Sequence, residues 1–310
     1  MPAKTQLFND RQQMHSQTFE IFRYRDAVPR DVPLHHHEFY EIYFFISGSV
    51  LYSIENRSYL LTPGDILLIR PMQLHQPVFD GRHGNYERIV LWLDRNFLDQ
   101  FGLEEEKLSA CFYSARPGYA GLLRPDEHIR QKIYYMLELL LQEQTQSSGE
   151  FGHRTSCLSY LALILSQLCR LSSQEPQEVE PSNASTAVYH VLEYINENYS
   201  EDLSLDTLSN MFFVSKYHLS REFKRVMGSS VHKYVTQRRL ITAKQMMSEG
   251  KSTMEVSHQC GFGDYSSFYR AFKDAYQISP VEFIRRLKKH AAETEERTRF
   301  LRELSETKPE

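Results

Sequence analysis

Apolar and polar positions alternate along the first third of the chain and recur with a helical period through the rest. Phe19 to Tyr24 alternates, and Tyr40 to Ile46 is a dense aromatic and β-branched run. Gly48 turns the chain and Val50 to Ile54 runs back. Glu55-Asn56-Arg57 reads as a hairpin tip before Ser58 to Leu61. Pro63-Gly64-Asp65 is a further turn before Ile66 to Arg70, and Tyr86 to Leu93 is another strand. Short strands with turn signals at this spacing predict a barrel or jelly roll. On the Tyr40–Ile46 strand, Phe39, Tyr43 and Phe45 share one face with Glu41. Ile42, Phe44 and Ile46 form an equally apolar opposite face that needs a second layer over it.

Two amphipathic helices follow, Glu127 to Gln144 and Arg154 to Leu171. Ile129, Ile133, Met136, Leu137, Leu140 and Leu141 line one stripe; Leu158, Leu161, Leu165, Leu168 and Cys169, with Ile164 beside them, line the other. One stripe is expected to cover the barrel. The other is expected to meet a second subunit, the alternative being that both serve the intrachain core. Ser172 to Thr186 is polar, acidic and without periodicity, and reads as a linker.

Beyond it the caps are explicit. A helix from about Thr186 to Tyr199 buries Val188, Val191, Leu192 and Ile195. Ser204 precedes a helix over Leu205–Phe212, and Ser215 precedes one over Lys216–Val226. Gly228 stands where a left-handed stop is needed. A connector runs from Val231 to about Ser248 and stops at Gly250. Ser252 with Glu255 reads as a capping box for a helix ending near Cys260. After Gly261-Phe262-Gly263, Asp264 caps Tyr265–Ala275, and Ser279-Pro280-Val281-Glu282 opens a last helix. The chain thus repeats a helix-turn-helix unit, Phe223-Lys224 corresponding to Phe272-Lys273. The 18-residue connector spans roughly 27 Å, near the ~34 Å separating successive major grooves on one face of DNA.

The second helix of each unit has a buried face, Leu219, Phe223 and Val226 in one and Phe268, Ala271, Phe272 and Ala275 in the other. The opposite faces carry Tyr217, Ser220, Arg221 and Lys224, and Tyr265, Ser266, Tyr269, Arg270 and Lys273. Such faces suit base edges in a major groove, with Arg able to bond guanine bidentately. Charge supports this over a plain solvated surface. The chain carries a net −4, but residues 1–182 hold 17 Lys and Arg against 23 Asp and Glu, whereas residues 183–290 hold 15 against 11. Lys216, Lys224, Arg225, Arg238 and Lys273 are the expected phosphate contacts.

The stretches SKYHLSREFKRVMGSS (215–230), GFGDYSSFYRAFK (261–273) and ISPVEFIRR (278–286), with the connector, resemble the AraC/XylS family of bacterial transcription regulators. The resemblance implies that Tyr217, Ser220 and Arg221 read bases in the first unit, and Tyr265, Ser266, Tyr269 and Arg270 in the second. It further implies a homodimer, RNA polymerase as a partner, activation of transcription, and an effector, often a sugar, bound in the N-terminal barrel without a metal. The chain departs from the family pattern at Ser209 and Ser257, where a small Ala is usual, and at Gln277, where Gly is usual. The last change leaves that helix end less sharply fixed.

One polar set lies in the β region: His35, His37, Glu41 and His75. The first three share parity, so on an extended strand they project from one face. The spacing from His35 to Gly48 resembles the first motif of cupins, and Gly64 to His75 the second, with Met72-Gln73 in place of Pro-Gly. Besides hydrogen-bonded core residues, two readings stay open. Three imidazoles and a carboxylate suit a divalent cation; they equally suit the polar lining of an effector pocket together with Tyr43, Arg88 and Trp92. Trp92 is also read as plain core.

Cys111, Cys157, Cys169 and Cys260 form no CxxC pair, which argues against a zinc knuckle or disulfide framework and fits a reducing cytosol. The N-terminus has no apolar signal-peptide run, and the most apolar stretch, Leu158–Cys169, is too short to span a bilayer. The expectation is a multidomain α+β protein: an arm (1–18), a cupin-like β-barrel or jelly roll with a helical pair (19–171), a linker (172–186), an all-α tandem helix-turn-helix domain (187–287) and a charged tail (288–310). It is a cytoplasmic, effector-responsive regulator binding double-stranded DNA, not an enzyme, with no cofactor and no membrane partner. The alternative is a metal-binding sensor, or a cupin metalloenzyme such as a dioxygenase or isomerase, on His35, His37, Glu41 and His75; as an enzyme it leaves the tandem helices without a role. A sequence-neutral architectural DNA binder lacks the long basic arms or apolar wedges it would need.

Overall fold

In the computed structural model, residues 13–28, 32–79, 85–103, 106–113, 121–146, 149–174 and 186–289 are described. Most of the predicted arm, linker and charged tail lies outside them. Contacts along the chain divide it into two compact units, residues 1–192 with 217–230 and residues 193–216 with 231–310.

The first unit is built on β1 (Phe19–Asp26), β2 (Tyr40–Ser47), β3 (Leu51–Ile54), β4 (Arg57–Leu60), β5 (Ile66–Ile69), β6 (His75–Val78) and β7 (Tyr86–Leu93). After α1 (Arg95–Gln100) come two short strands, β8 (Gly102–Leu103) and β9 (Glu106–Lys107), then a 3-10 turn over Leu108–Tyr113 and β10 (Leu122–Leu123). A five-stranded antiparallel sheet runs β1-β7-β2-β5-β10, and a three-stranded sheet runs β4-β3-β6. The predicted strands recur within a few residues. β6 escaped the pattern because His75-Gln76-Pro77-Val78 is polar and contains proline. It sits at the edge of the three-stranded sheet, beside β3, where a missing N–H is tolerated.

Period-two alternation sorts β2 between two cores. Phe39, Tyr43 and Phe45 join Leu67, Ile69, Val90 and Trp92 against Tyr52, Ile54 and Tyr59 of the smaller sheet. Ile42 and Phe44, with Ile46 partly buried, face the other way, against α2 (Glu127–Gln146) and α3 (His153–Ser173). The helical pair is therefore the cover that the apolar outer face of the sheet requires. The expectation that one stripe is left for a partner is corrected here. Ile133, Leu137 and Leu140 of α2 and Leu161, Ile164, Leu165 and Leu168 of α3 are all buried in the same intrachain core, with Ile129, Leu141, Leu158 and Cys169 packed at its margin. The large apolar side chains that these helices expose, among the described residues, are Tyr135 and Leu163.

α4 (Thr186–Glu197) buries Val188, Val191, Leu192 and Ile195. α6 (Lys216–Met227) buries Leu219, Phe223, Val226 and Met227. Its last carbonyls have partners outside the helix: Ser53 Oγ donates to the Val226 carbonyl across 2.9 Å, and the Gln76 amide donates to that of Met227. Gly228 follows with φ +57°, the left-handed stop expected there.

In the second unit, α5 (Leu205–Met211) starts at Ser204, whose hydroxyl accepts from Thr207 N–H. α7 (Val231–Ser248) is the connector, followed by α8 (Thr253–Gln259), α9 (Tyr265–Tyr276) and a last helix over residues 280–289. Leu240, Ala243 and Met247 of α7 pack with Val256, Cys260, Phe268 and Phe272. Only half of the predicted capping box is present. Ser252 accepts from Glu255 N–H, but the Glu255 carboxylate accepts from Gln259 instead.

Candidate DNA-reading helices and a buried polar cluster

The amphipathic period of α6 turns its cationic face outward because the apolar residues at i, i+4 and i+7 are buried. Tyr217, Ser220, Arg221, Lys224 and Arg225 are exposed. Glu222 braces this face: its carboxylate accepts from Arg225 Nε at 3.0 Å and lies 3.7 Å from Arg221 Nε. The Arg225 hydrogen bond holds the Glu222 carboxyl below its usual range. Lys216 pairs with Asp206 of α5. The bracing acid is a feature that sequence reading passed over. Its position three residues before Arg225 is the available signal.

α9 presents Ser266, Arg270 and Lys273 as exposed and Tyr265 and Tyr269 as half-buried. Tyr265 leans on Phe268 and Tyr269, and its hydroxyl donates to Thr253 Oγ1 at 3.4 Å. The helix starts sharply, with Asp264 accepting from Ser267 N–H at 2.7 Å. It also ends sharply, which corrects the expectation at Gln277. That residue adopts φ 57°, its N–H returns to the Lys273 carbonyl at 2.8 Å, and its side-chain amide donates to the Asp274 carbonyl at 3.1 Å. The amide bond offsets part of what a non-glycine residue loses in the left-handed region. Arg238, in α7, is half-buried rather than on an open surface.

The second constellation lies inside the first unit. His35, His37, Glu41 and His75 are all buried. His75 opens β6, a later strand, as expected, but the other three do not share one strand. β2 begins at Tyr40, so only Glu41 is on it; His35 and His37 are on the segment before it. His35 pairs with His75 as an isolated bridge, each N–H donating to the other's carbonyl at 3.2 and 2.9 Å. Met72 N–H donates to the His37 carbonyl at 2.7 Å, with Met72 itself at φ 67°. Met72 thus holds a left-handed backbone that a proline at this position could not adopt.

Within the cluster, His37 stacks on Phe39 with ring centroids 3.9 Å apart and planes 3° from parallel. Its Nε2 is 3.1 Å from Glu41 Oε2, and Trp92 Nε1 donates to that same oxygen at 3.0 Å. Trp92 is both core and polar partner. Burial holds the His75 imidazole far below its usual pKa, helped by neighbouring His35 and His37, so His75 is neutral. Arg88 has partners of its own. Its guanidinium lies over the rings of Tyr24 and Tyr86, 4.7 and 4.3 Å from their centroids, and pairs with Asp26. Tyr43 contacts Tyr86 through their hydroxyls, and burial pushes Tyr86 up to about 12. Tyr24 and Asp26 were missed because their place beside Arg88 follows from β1–β7 register, which pairs Tyr24 with Arg88.

Residues 19–160 match the AraC-like ligand binding domain, and residues 208–286 match a helix-turn-helix domain. These two modules, in this order, define a ligand-responsive DNA-binding regulator. The chain belongs to the AraC family of transcription regulators. It is 27% identical to the HTH-type transcriptional regulator YbfI of Bacillus subtilis (strain 168), over 80% of this chain and 84% of that one. It is 24% identical to the HTH-type transcriptional activator RhaS of Yersinia pestis (strain Pestoides F), over 80% and 87%. Among solved structures it resembles the C-terminal domain of AraT, a response regulator from Geobacillus stearothermophilus, at 28% identity and a TM-score of 0.33, covering 34% of this chain and 88% of that one. Among the described residues, no helix is long and apolar enough to cross a membrane.

Proposed function

We propose that the chain is a cytoplasmic transcription activator that acts as a homodimer and reads its operator through α6 and α9. The observation that carries this reading is the pair of capped helices whose exposed faces each place an arginine among tyrosine and serine: Tyr217, Ser220 and Arg221 on one, Tyr265, Ser266, Tyr269 and Arg270 on the other. Lys216, Lys224, Arg225, Arg238 and Lys273 serve the phosphates, a sequence-independent contribution that orients the helices. Activation through RNA polymerase is supported by the similarity to an activator. Leu163 and Tyr135, apolar and exposed on the helical pair, are the side chains offered to self-association.

The effector reading places a small polyhydroxy molecule, a sugar, in the N-terminal sandwich. Its polar contacts come from His35, His37, Glu41, His75, Tyr43 and Arg88, with Trp92 as an aromatic wall. The test is selection of binding sites from random duplexes by the full chain, followed by transcription in vitro with a panel of sugars. Enrichment of a defined motif, and ligand-dependent transcription from it, are expected. Equal affinity for all duplexes would overturn base reading; transcription indifferent to every sugar would remove the carbohydrate assignment.

A further inference from the structure

The backbone sets the ring tautomers of three buried histidines. Nδ1 of His35 lies 2.9 Å from the Pro33 carbonyl, Nδ1 of His37 lies 2.8 Å from that of Phe39, and Nδ1 of His75 lies 2.8 Å from that of Gln73. A carbonyl oxygen can only accept. Each Nδ1 therefore carries a proton, and in a neutral ring Nε2 is a lone pair. An imidazole whose other nitrogen is tied to a backbone carbonyl is oriented as metal-binding histidines are.

What the Nε2 atoms meet is the deciding feature. His37 Nε2 stands 3.1 Å from Glu41 Oε2, and two lone pairs at that distance repel unless positive charge lies between them. His75 Nε2 is fully buried and has no hydrogen-bond partner among the described residues. A buried acceptor left unmatched is costly and rare. An extra proton on His37 would answer the contact with Glu41. It would leave the lone pair of His75 with nothing to accept. One cation answers both. Ligand atoms of His37, Glu41 and His75 all lie within 4.8 Å of one another, in reach of a common ion with bonds of about 2.1 Å after small side-chain rotations. The His35 ring stands beside them, its centroid 4.2 Å from that of His75.

We propose that His37, Glu41 and His75 bind a divalent first-row transition cation of the zinc, nickel and cobalt class inside the N-terminal sandwich. Two imidazoles and one carboxylate suit these ions; magnesium and calcium favour all-oxygen shells. Trp92 is a positioning residue, since its indole N–H holds the carboxylate oxygen that faces His37. Three protein ligands leave a coordination position for an oxygen-bearing effector. That last role rests on the effector reading above, but cation binding itself does not, so each can fail alone.

The test uses the full chain, stripped of metal by a chelator and titrated calorimetrically with Zn²⁺, Ni²⁺ and Mg²⁺. One equivalent of Zn²⁺ or Ni²⁺ is expected to bind saturably, without competition from Mg²⁺. His75→Gln and Glu41→Gln should each abolish this binding, and Trp92→Phe should weaken it about 10–100-fold, as loss of an outer partner does. Arg221→Ala should leave it unchanged. Absence of saturable binding, or equal binding by the His75 and Glu41 variants, would overturn the proposal. Should those variants not fold, X-ray absorption on the zinc-loaded wild-type chain decides. Scattering from two or more imidazoles supports the site, and fewer overturns it.

Discussion

Trp92 of β7 donates its indole N–H to Glu41 of β2 across 3.0 Å, inside an apolar core. The two residues are cross-strand partners, so sheet register places the donor over the carboxylate. Removing the donor leaves a buried oxygen with fewer partners, which costs about 1–3 kcal/mol. Trp92→Phe is expected to lower the unfolding free energy of the metal-free chain by at least that amount in urea. A loss no larger than that of an exposed substitution would show the bond to be incidental.

Base reading predicts a particular pattern of losses. Arg221→Ala and Arg270→Ala should each weaken binding to the selected operator by about 1–3 kcal/mol and relax preference at the bases they face. Lys224→Ala, at a proposed phosphate contact, should weaken all duplexes alike and reduce the salt slope by about 1. Mobility-shift titrations on specific and random DNA at two salt concentrations distinguish these outcomes.

Gly261 has φ +76°, and a Cβ added there would lie 2.4 Å from the Ser200 carbonyl oxygen. Both the left-handed backbone and the neighbouring backbone oppose a side chain. Gly261→Ala is expected to cost more than the ~1–2 kcal/mol of the conformation alone, and to reduce operator affinity by disturbing the turn before α9. A melting temperature equal to that of the wild-type chain would contradict this.

The helical pair offers an internal control. Leu165→Ala removes a fully buried side chain from the core beneath the sheet and should cost about 2–5 kcal/mol. Leu163→Glu, on the exposed side of the same helix, should leave stability within about 0.5 kcal/mol while weakening self-association in analytical ultracentrifugation. A fully dimeric Leu163→Glu variant would move the dimer contact elsewhere.

Acid should loosen the outer edge of the sheet. Burial alone would raise the carboxyl pKa of Glu87, but hydrogen bonds from Arg25 and Arg23, at 2.9 and 2.8 Å, outweigh it and hold the group below its usual 4.5. The unfolded chain then takes up this proton first as pH falls. The stability that Glu87 contributes is complete above about 4.5 and is lost as pH falls from there through the lowered folded value. Glu87→Gln is expected to be less stable at neutral pH and to have a shallower acid limb between pH ~5 and ~3. Identical pH profiles would rule this pairing out as a source of acid sensitivity.

The DNA-binding half was nearly all legible in sequence because its signals are local. Ser204, Ser252 and Asp264 cap helices within three residues of themselves, and Gly228 and Gly250 stop them. The alternation on β2 likewise showed that the strand lies between two apolar layers. The route into the polar cluster was less visible. Shared parity grouped His35, His37 and Glu41, yet the strand starts only at Tyr40, and the histidines reach Glu41 through the His35–His75 bridge and the Met72–His37 hydrogen bond.

Residue order by itself determined the family, the two modules and the outward faces of α6 and α9, since periodicity and capping depend on neighbours a few positions apart. Only tertiary structure decided that both apolar stripes of the helical pair are consumed within the chain, that Trp92 grips Glu41, and that His75 turns an unmatched lone pair inward. Each of these depends on register between distant strands or on which faces meet across the core, and no local pattern carries that information.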